Sequence, residues 1–197
     1  MCNDLIMGVD VGTTETKGIL MDEDGNLISE SSRELQLIHV KEGRIEQDLE
    51  RIWVETARAI KDCTISAGRR PSGLSITGQR ETICPIDKGF GPIGNAISWQ
   101  DTRGWEICKR MKEEFGNEGV YRITGLPVNT MPSASKMAWI KENEPSIYDK
   151  VWKFVGVVDY VVWKLSGTLM MDHSNACRTM LFDLSRLRWS SKIFEYL

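Results

Sequence analysis

The first residues able to do chemistry lie in Met7-Gly8-Val9-Asp10-Val11-Gly12-Thr13-Thr14-Glu15-Thr16-Lys17-Gly18. Asp10 sits in an apolar run that reads as a buried strand, Gly12, Thr13 and Thr14 turn the chain, and Gly18 to Met21 bring it back. A tight turn rich in Gly and Thr offers backbone N–H groups and hydroxyls to an anion, and a carboxylate beside it can hold a divalent metal, directly or through water. Nucleotide phosphates with their metal need both. An ordinary hairpin turn is the plainer alternative on these residues alone. A P-loop is excluded because no Gly-Lys-Ser/Thr closes the turn. A dinucleotide fingerprint is excluded because G-x-G-x-x-G is missing and a hairpin follows, not a helix.

The second group is Gly78-Gln79-Arg80-Glu81-Thr82, followed at a distance by Ser98-Trp99-Gln100-Asp101-Thr102-Arg103. An adjacent Arg and Glu suits a polyol, since guanidinium donates to hydroxyl oxygens and carboxylate accepts hydroxyl protons. Trp99 can cover the C–H face of a sugar while polar groups take its hydroxyls. A lone Arg-Glu pair in a loop is ordinarily a surface ion pair, so the elements that carry these residues decide their meaning.

Those elements follow from pattern. Leu5 to Val11, Gly18 to Met21 and Leu27 to about Val40 read as three antiparallel strands, with Asp24-Gly25 as a hairpin signal and Lys41-Glu42-Gly43 as the break. Asp48 is a helix N-cap, and Ile52, Trp53, Ala57, Ile60 and Ala67 recur at helical spacing until Gly68 and Pro71. Ser72 to Thr77 is a strand reached by a right-handed crossover, hence parallel to the first. The ends of such strands are where α/β proteins place ligands. Ile83 to Asp87 and Ile93 to Trp99 read as a hairpin, so Gln79–Glu81 and Trp99–Asp101 are expected to converge on one cleft. Helices are expected over Gly104 to Phe115, Gly116 to Thr124, Ala134 to Asn143 with Ser133 as cap, and Val157 to Leu165, with another starting at Trp189. Short strands are expected at Trp152 to Val155, Thr168 to Met171 and Thr179 to Leu184. Asp159 reads as a structural carboxylate near a helix start.

Bulk properties narrow the classes. The 197 residues are 41% hydrophobic with a net charge of −3, which suits a proper core and, with no basic stripe, argues against nucleic acid. No apolar run approaches a bilayer span, and Met1-Cys2-Asn3-Asp4 has no positive n-region, so no membrane partner is expected. Five cysteines without a C-x-x-C pair and only two histidines argue against a zinc site and point to a reduced, cytoplasmic setting.

Asp10-Val-Gly-Thr-Thr, Gly78-Gln-Arg-Glu-Thr, Ser98-Trp-Gln-Asp-Thr-Arg, the stretch Gly156 to Gly167 and Asn175-Ala-Cys-Arg-Thr-Met-Leu-Phe-Asp183 occur in that order. Together they resemble the N-terminal domain of the FGGY family of carbohydrate kinases, the group of glycerol kinase and xylulokinase, over nearly the whole chain. The resemblance implies an α/β, ribonuclease-H-like (actin-like ATPase) domain with a mixed sheet flanked by helices. It implies ATP and Mg2+ as cofactors and a small sugar or polyol as substrate, and leaves homo-oligomerisation open. By position, Asp10 would hold the magnesium through water, and Gly12, Thr13, Thr14 and Lys17 would line the phosphates. Arg80 and Glu81 would bind acceptor hydroxyls, with Trp99 beneath and Gln79 or Asp101 assisting. The family's general base and adenine site belong to a second, C-terminal domain. Residues 1–197 are therefore expected to be the sugar-binding half of the kinase, inactive alone. Gln-Arg-Glu-Thr and Asn-Ala-x-Arg-Thr-Met-Leu-Phe lean towards glycerol kinase, whereas Met131 stands where those enzymes have a Tyr against glycerol. A pentulose, a somewhat larger polyol or sugar, or the autoinducer sugar phosphorylated by a related kinase stays open. A non-catalytic sugar- or partner-binding module derived from such a kinase is the alternative, and a chaperone-type ATPase fails at Gln79-Arg80-Glu81 and Trp99.

Overall fold

The computed structural model describes residues 4–197, so Cys2 and the rest of the N-terminal tripeptide lie outside the described residues. In chain order the elements are β1 (Leu5–Val11), β2 (Glu15–Asp22), β3 (Leu27–Glu34), β4 (Ile38–Lys41), β5 (Arg44–Gln47), α1 (Leu49–Ala67), β6 (Gly73–Gly78), β7 (Ile83–Ile86) and β8 (Ala96–Ile97). They continue as α2 (Trp105–Thr124), α3 (Ser133–Asn143), α4 (Pro145–Tyr148), β9 (Lys153–Gly156), α5 (Val157–Ser166), α6 (His173–Cys177), β10 (Phe182–Asp183), β11 (Arg188–Trp189) and α7 (Ser191–Tyr196). They divide between two compact units. One holds residues up to 37 with Asp48–Gln79 and Val157–Leu169, the other Ile38–Gln47 with Arg80–Gly156 and Met170–Leu197.

The first unit is built on a mixed sheet of order β3-β2-β1-β6, antiparallel across β3, β2 and β1 and parallel between β1 and β6. Alternation decides its two faces. Leu5, Met7, Val9 and Val11 point inward from β1, joined by Thr16 and Leu20 from β2. Opposite them α1 buries Leu49, Ile52, Thr56, Ala59 and Cys63, a stripe that shares only Ile52 with the expected one, so Trp53, Ala57 and Ile60 are only half-buried. Thr56 Oγ1 joins Thr16 Oγ1 at 3.1 Å, which satisfies two hydroxyls in an apolar layer. Asp48 caps the helix by accepting from Arg51 N at 3.0 Å, and Gly68 ends it in the left-handed region. Ile6, Asp10, Ser75 and Thr77 occupy the other, exposed face.

The second unit carries an antiparallel sheet of order β4-β5-β8-β7-β9. Its helices α2 and α3 pack around Ile107, Cys108, Met111, Val120, Leu126, Val128, Ala134 and Ala138, with Met180, Leu181 and Ile193 completing the core. Gly116, at φ 65 and ψ 158, breaks α2 where the sequence separates two helices.

Several expected elements are corrected. The third strand stops at Glu34, and Ile38–Lys41 pairs instead with an unforeseen strand, Arg44–Gln47. That strand is polar in sequence but finds distant partners: Ile45 N donates to Asp101 Oδ2 at 2.8 Å, and Glu46 meets Arg103 at 2.6 Å. The hairpin of Ile83 to Asp87 with Ile93 to Trp99 shrinks to β7 and β8, paired at Ile83 and Ile97. Ser133 opens α3 but does not cap it; its hydroxyl donates to Glu81 O at 3.1 Å. No strand forms at Thr168 to Met171, because Asp172 accepts from Ser174 N at 2.7 Å and Asn175 N at 3.0 Å and starts α6. Thr179 to Leu184 pairs only at Phe182–Asp183, and Trp189 belongs to β11, so the last helix starts at Ser191.

Candidate active site

In the first unit the β1–β2 hairpin presents the phosphate candidates. Gly12 N donates to Glu15 O at 2.9 Å, so tightly that a Cβ on Gly12 would stand 2.8 Å from that oxygen. Only glycine fits there. Gln79 N donates to Val11 O at 2.8 Å and its side-chain Nε2 donates to Gly12 O at 2.9 Å, while Leu35 N reaches Thr14 O at 2.8 Å. The turn is thus pinned on both flanks, a geometry fixed before any anion arrives. Gln79, expected beside the acceptor, commits its amide to this hairpin.

Asp10 lies on the exposed face, opposite Lys17 on β2 and Thr77 on β6. Its carboxylate accepts no hydrogen bond from the described residues. It lines a groove of about 420 Å³ with Gly8, Glu15, Lys17, Ile19, Ser75 and Thr77. Lys17 Nζ sits 2.9 Å from Glu30 Oε2, and that hydrogen bond, then the charge of Glu30, raises its pKa. A phosphate must compete with Glu30 for Lys17. No group of three or more His, Cys, Asp and Glu forms a metal cage among the described residues. Magnesium needs none, since it keeps several waters and takes one or two carboxylates plus phosphate oxygens. An exposed Asp10 with open oxygens, beside an anion-ready turn, fits that donor set.

The second unit gathers Arg80, Glu81, Trp99 and Asp101. Glu81 has φ 66, a conformation that L side chains rarely adopt, directly before β7. Arg178, at the C-terminal end of α6, holds its carboxylate: Nε donates to Oε1 at 2.6 Å and Nη2 also contacts that oxygen. Oε2 receives no protein donor among the described residues and can accept a hydroxyl proton. Arg80, next in the chain, is exposed and has no ion-pair partner among the described residues. Trp99 is half-buried, its backbone N–H donating to Thr82 Oγ1 at 3.1 Å, which ties the two strand ends together.

Asp101 plays a different part from its neighbours. It is fully buried, and its two oxygens accept from Ile45 N, Arg103 N, Arg103 Nε and Arg103 Nη2 at 2.8–2.9 Å. Arg103 in turn reaches Glu46 and stacks 5.0 Å over Trp139. This network fixes the loop that presents Trp99.

Arg178 lies within the Asn175–Asp183 motif, where nothing local assigns it this role. Lys136 went unnoticed altogether. It is completely buried, and its Nζ donates to Met131 O, to Pro132 O at 3.3 Å and to Glu81 O at 3.5 Å. The sequence gives little signal for it, since Ser-Ala-Ser-Lys opens a helix of mixed polarity in which a lysine is ordinarily solvated.

A family model described as the FGGY family of carbohydrate kinases, N-terminal domain, matches residues 5–197. The chain belongs to that family. Among curated relatives it is 35% identical over 202 residues to glycerol kinase 2 of Thermotoga maritima, covering 98% of this chain and 41% of the relative. It is likewise 35% identical to a glycerol kinase of Ligilactobacillus salivarius, again covering 41% of it. The chain thus spans about two fifths of the length of these relatives. Among solved structures, a gluconate kinase from Lactobacillus acidophilus superposes with a TM-score of 0.94 at 27% identity, over 98% of this chain and 39% of that one. A Plasmodium falciparum glycerol kinase with ADP gives 0.89 at 26% identity, over 98% and 40%. The mixed sheet with flanking helices is the actin-like ATPase fold shared by these FGGY kinases.

Proposed function

We propose that this FGGY domain supplies the acceptor site and the phosphate-facing hairpin of an ATP-dependent kinase that phosphorylates a hydroxyl of a small sugar or polyol. The observation that carries the reading is the pairing of an unengaged Arg80 with a Glu81 whose Oε1 is held by Arg178 and whose Oε2 is open. A donor fork and an acceptor oxygen on consecutive residues suit the hydroxyls of a polyol, and Trp99 adds a flat apolar face. In the first unit, Gly12, Thr13 and Thr14 offer the turn to the terminal phosphates. Bound through water at Asp10, magnesium would neutralise charge that builds on the transferring group. Phosphoryl transfer asks mainly for positioning and charge neutralisation, which these residues can provide. The cytoplasm, with its ATP, is the compartment such a reaction uses.

The test is the full-length gene product assayed with ATP and magnesium against glycerol, xylulose, gluconate and larger polyols, reading ADP release and phosphorylated product. Turnover with one of them, at a rate on the order of 1–100 per second, is expected. Binding of a sugar without ADP release from any acceptor would establish the non-catalytic module instead.

A further inference from the structure

Lys136 stands one helical turn into α3, wholly out of solvent, in the second unit. A buried ammonium is costly unless its donors are used. Here all three aim at backbone carbonyls: Met131 O, Pro132 O at 3.3 Å and Glu81 O at 3.5 Å. Two of these carbonyls belong to the loop before α3 and the third to the residue whose carboxylate faces the acceptor. Ser133 Oγ adds a second donor to Glu81 O at 3.1 Å. Met131 Sδ, on the same loop, lies 4.0 Å from Arg178 Nη2. Lys136 therefore sits beneath both backbone segments that frame the Glu81–Arg178 pair.

We propose that Lys136 is a positioning residue for the acceptor site, its ammonium clamping the carbonyls of Glu81, Met131 and Pro132 so that Glu81 keeps its left-handed backbone and aims its carboxylate at the sugar. The inference rests on the reading of Arg80, Glu81 and Trp99 as that site. An ammonium has three N–H donors and a neutral amine two, so deprotonation orphans one carbonyl of the clamp. Burial lowers the pKa of Lys136 to about 8, while the charges of Asp101, Glu81 and Cys108 act to raise it and Arg103 to lower it. The clamp thus loosens just above neutrality.

In the full-length gene product, acceptor kcat/KM of the wild type should fall as pH rises through about 8, with ATP kcat/KM lacking that limb. Lys136→Gln should lose about tenfold to a hundredfold in acceptor kcat/KM, leave the KM for ATP within about threefold, and lack the alkaline limb. A wild-type acceptor profile flat to about pH 9.5, or the same limb kept in Lys136→Gln, overturns the proposal. Should the variant fold poorly, the wild-type profile alone decides. Hydrogen exchange needs no substrate and separates this inference from the functional reading. Amides at residues 81–83, 131 and 133–135 should exchange faster in Lys136→Gln than in wild type at one pH. Unchanged protection there overturns the clamp even if the kinase reading stands, and increased exchange supports it even if no acceptor is found.

Discussion

Arg178 holds Glu81: the guanidinium Nε lies 2.6 Å from Oε1 across 97 residues of chain, and the Glu81 side chain is only 9% exposed. This pair joins a loop before β7 to the end of α6, and it leaves one carboxylate oxygen for a ligand. Arg178→Met keeps the side chain's bulk but strands Glu81 without its counter-charge. It should cost about 1–3 kcal/mol in a urea melt of the chain and raise the acceptor KM of the full-length product. A melt unchanged by the substitution would show that Glu81 does not depend on Arg178.

Arg80→Ala should act on the acceptor and not on the nucleotide. The side chain is exposed and unengaged, so its removal disturbs no packing and the melt should stay within about 0.5 kcal/mol of wild type. A lost charged hydrogen bond to a hydroxyl costs about 1.5–3 kcal/mol, roughly tenfold to a hundredfold in acceptor efficiency. Steady-state kinetics with each substrate varied in turn checks the split. An ATP KM that rises while the acceptor KM stays put would remove Arg80 from the sugar site.

How much of this was visible in the sequence depends on whether a residue's partner is local. The β1–β2 hairpin, the parallel return of β6 and the Asp48 cap were legible because alternation, turn chemistry and N-cap signals act within a few residues. Arg44–Gln47 was not, because its polar residues give no strand pattern and find their partners at Ala96–Ile97, Asp101 and Arg103, about 50 residues or more away. The family resemblance implies an assisting role at the acceptor for Gln79 or Asp101. Their bonds to Gly12 O and to Arg103 appear only once the fold is assembled. The start of α6 was not legible either, since the apolar run Leu169-Met-Met171 reads as a strand until the Asp172 cap is seen. Glu81 illustrates the general limit, since nothing in Gln-Arg-Glu-Thr announces a positive φ on a glutamate.

Asp10→Asn should depress kcat in the full-length product by about a hundredfold while changing acceptor KM little, because the metal matters most as charge moves off the γ-phosphate. The Asp10 carboxylate accepts no hydrogen bond from the described residues, and the substitution leaves its backbone bonds in place, so stability should be unaffected. Magnesium titration of the rate gives the check. An unchanged magnesium requirement in Asp10→Asn would place the metal elsewhere.

Gly12→Ala tests whether the hairpin is held by close approach. The new Cβ would meet Glu15 O at 2.8 Å, and since that atom is backbone the turn must open. A loss of about 1–3 kcal/mol is expected, seen as a fall of roughly 2–8 °C in melting temperature. Gly78→Ala, with 2.5 Å to Val11 O, should be at least as severe.

Lys136 gives the fold a pH dependence whose sign can be worked out. Its pKa falls from 10.5 in the unfolded chain to about 8 when buried. Between those two values the unfolded chain binds the proton and the folded chain does not, so the Lys136 contribution to stability rises with pH across that window. Below pH 8 both states are charged and the full cost of burying the ammonium is borne. The span corresponds to about 3 kcal/mol as an upper figure. The readout is the difference in stability between wild type and Lys136→Met, followed by urea melts in steps from about pH 7 to 10.5. Wild type should gain on Lys136→Met as pH rises, even as the clamp on Glu81 weakens. A difference that stays constant over the window would mean that Lys136 keeps an ordinary pKa inside the fold.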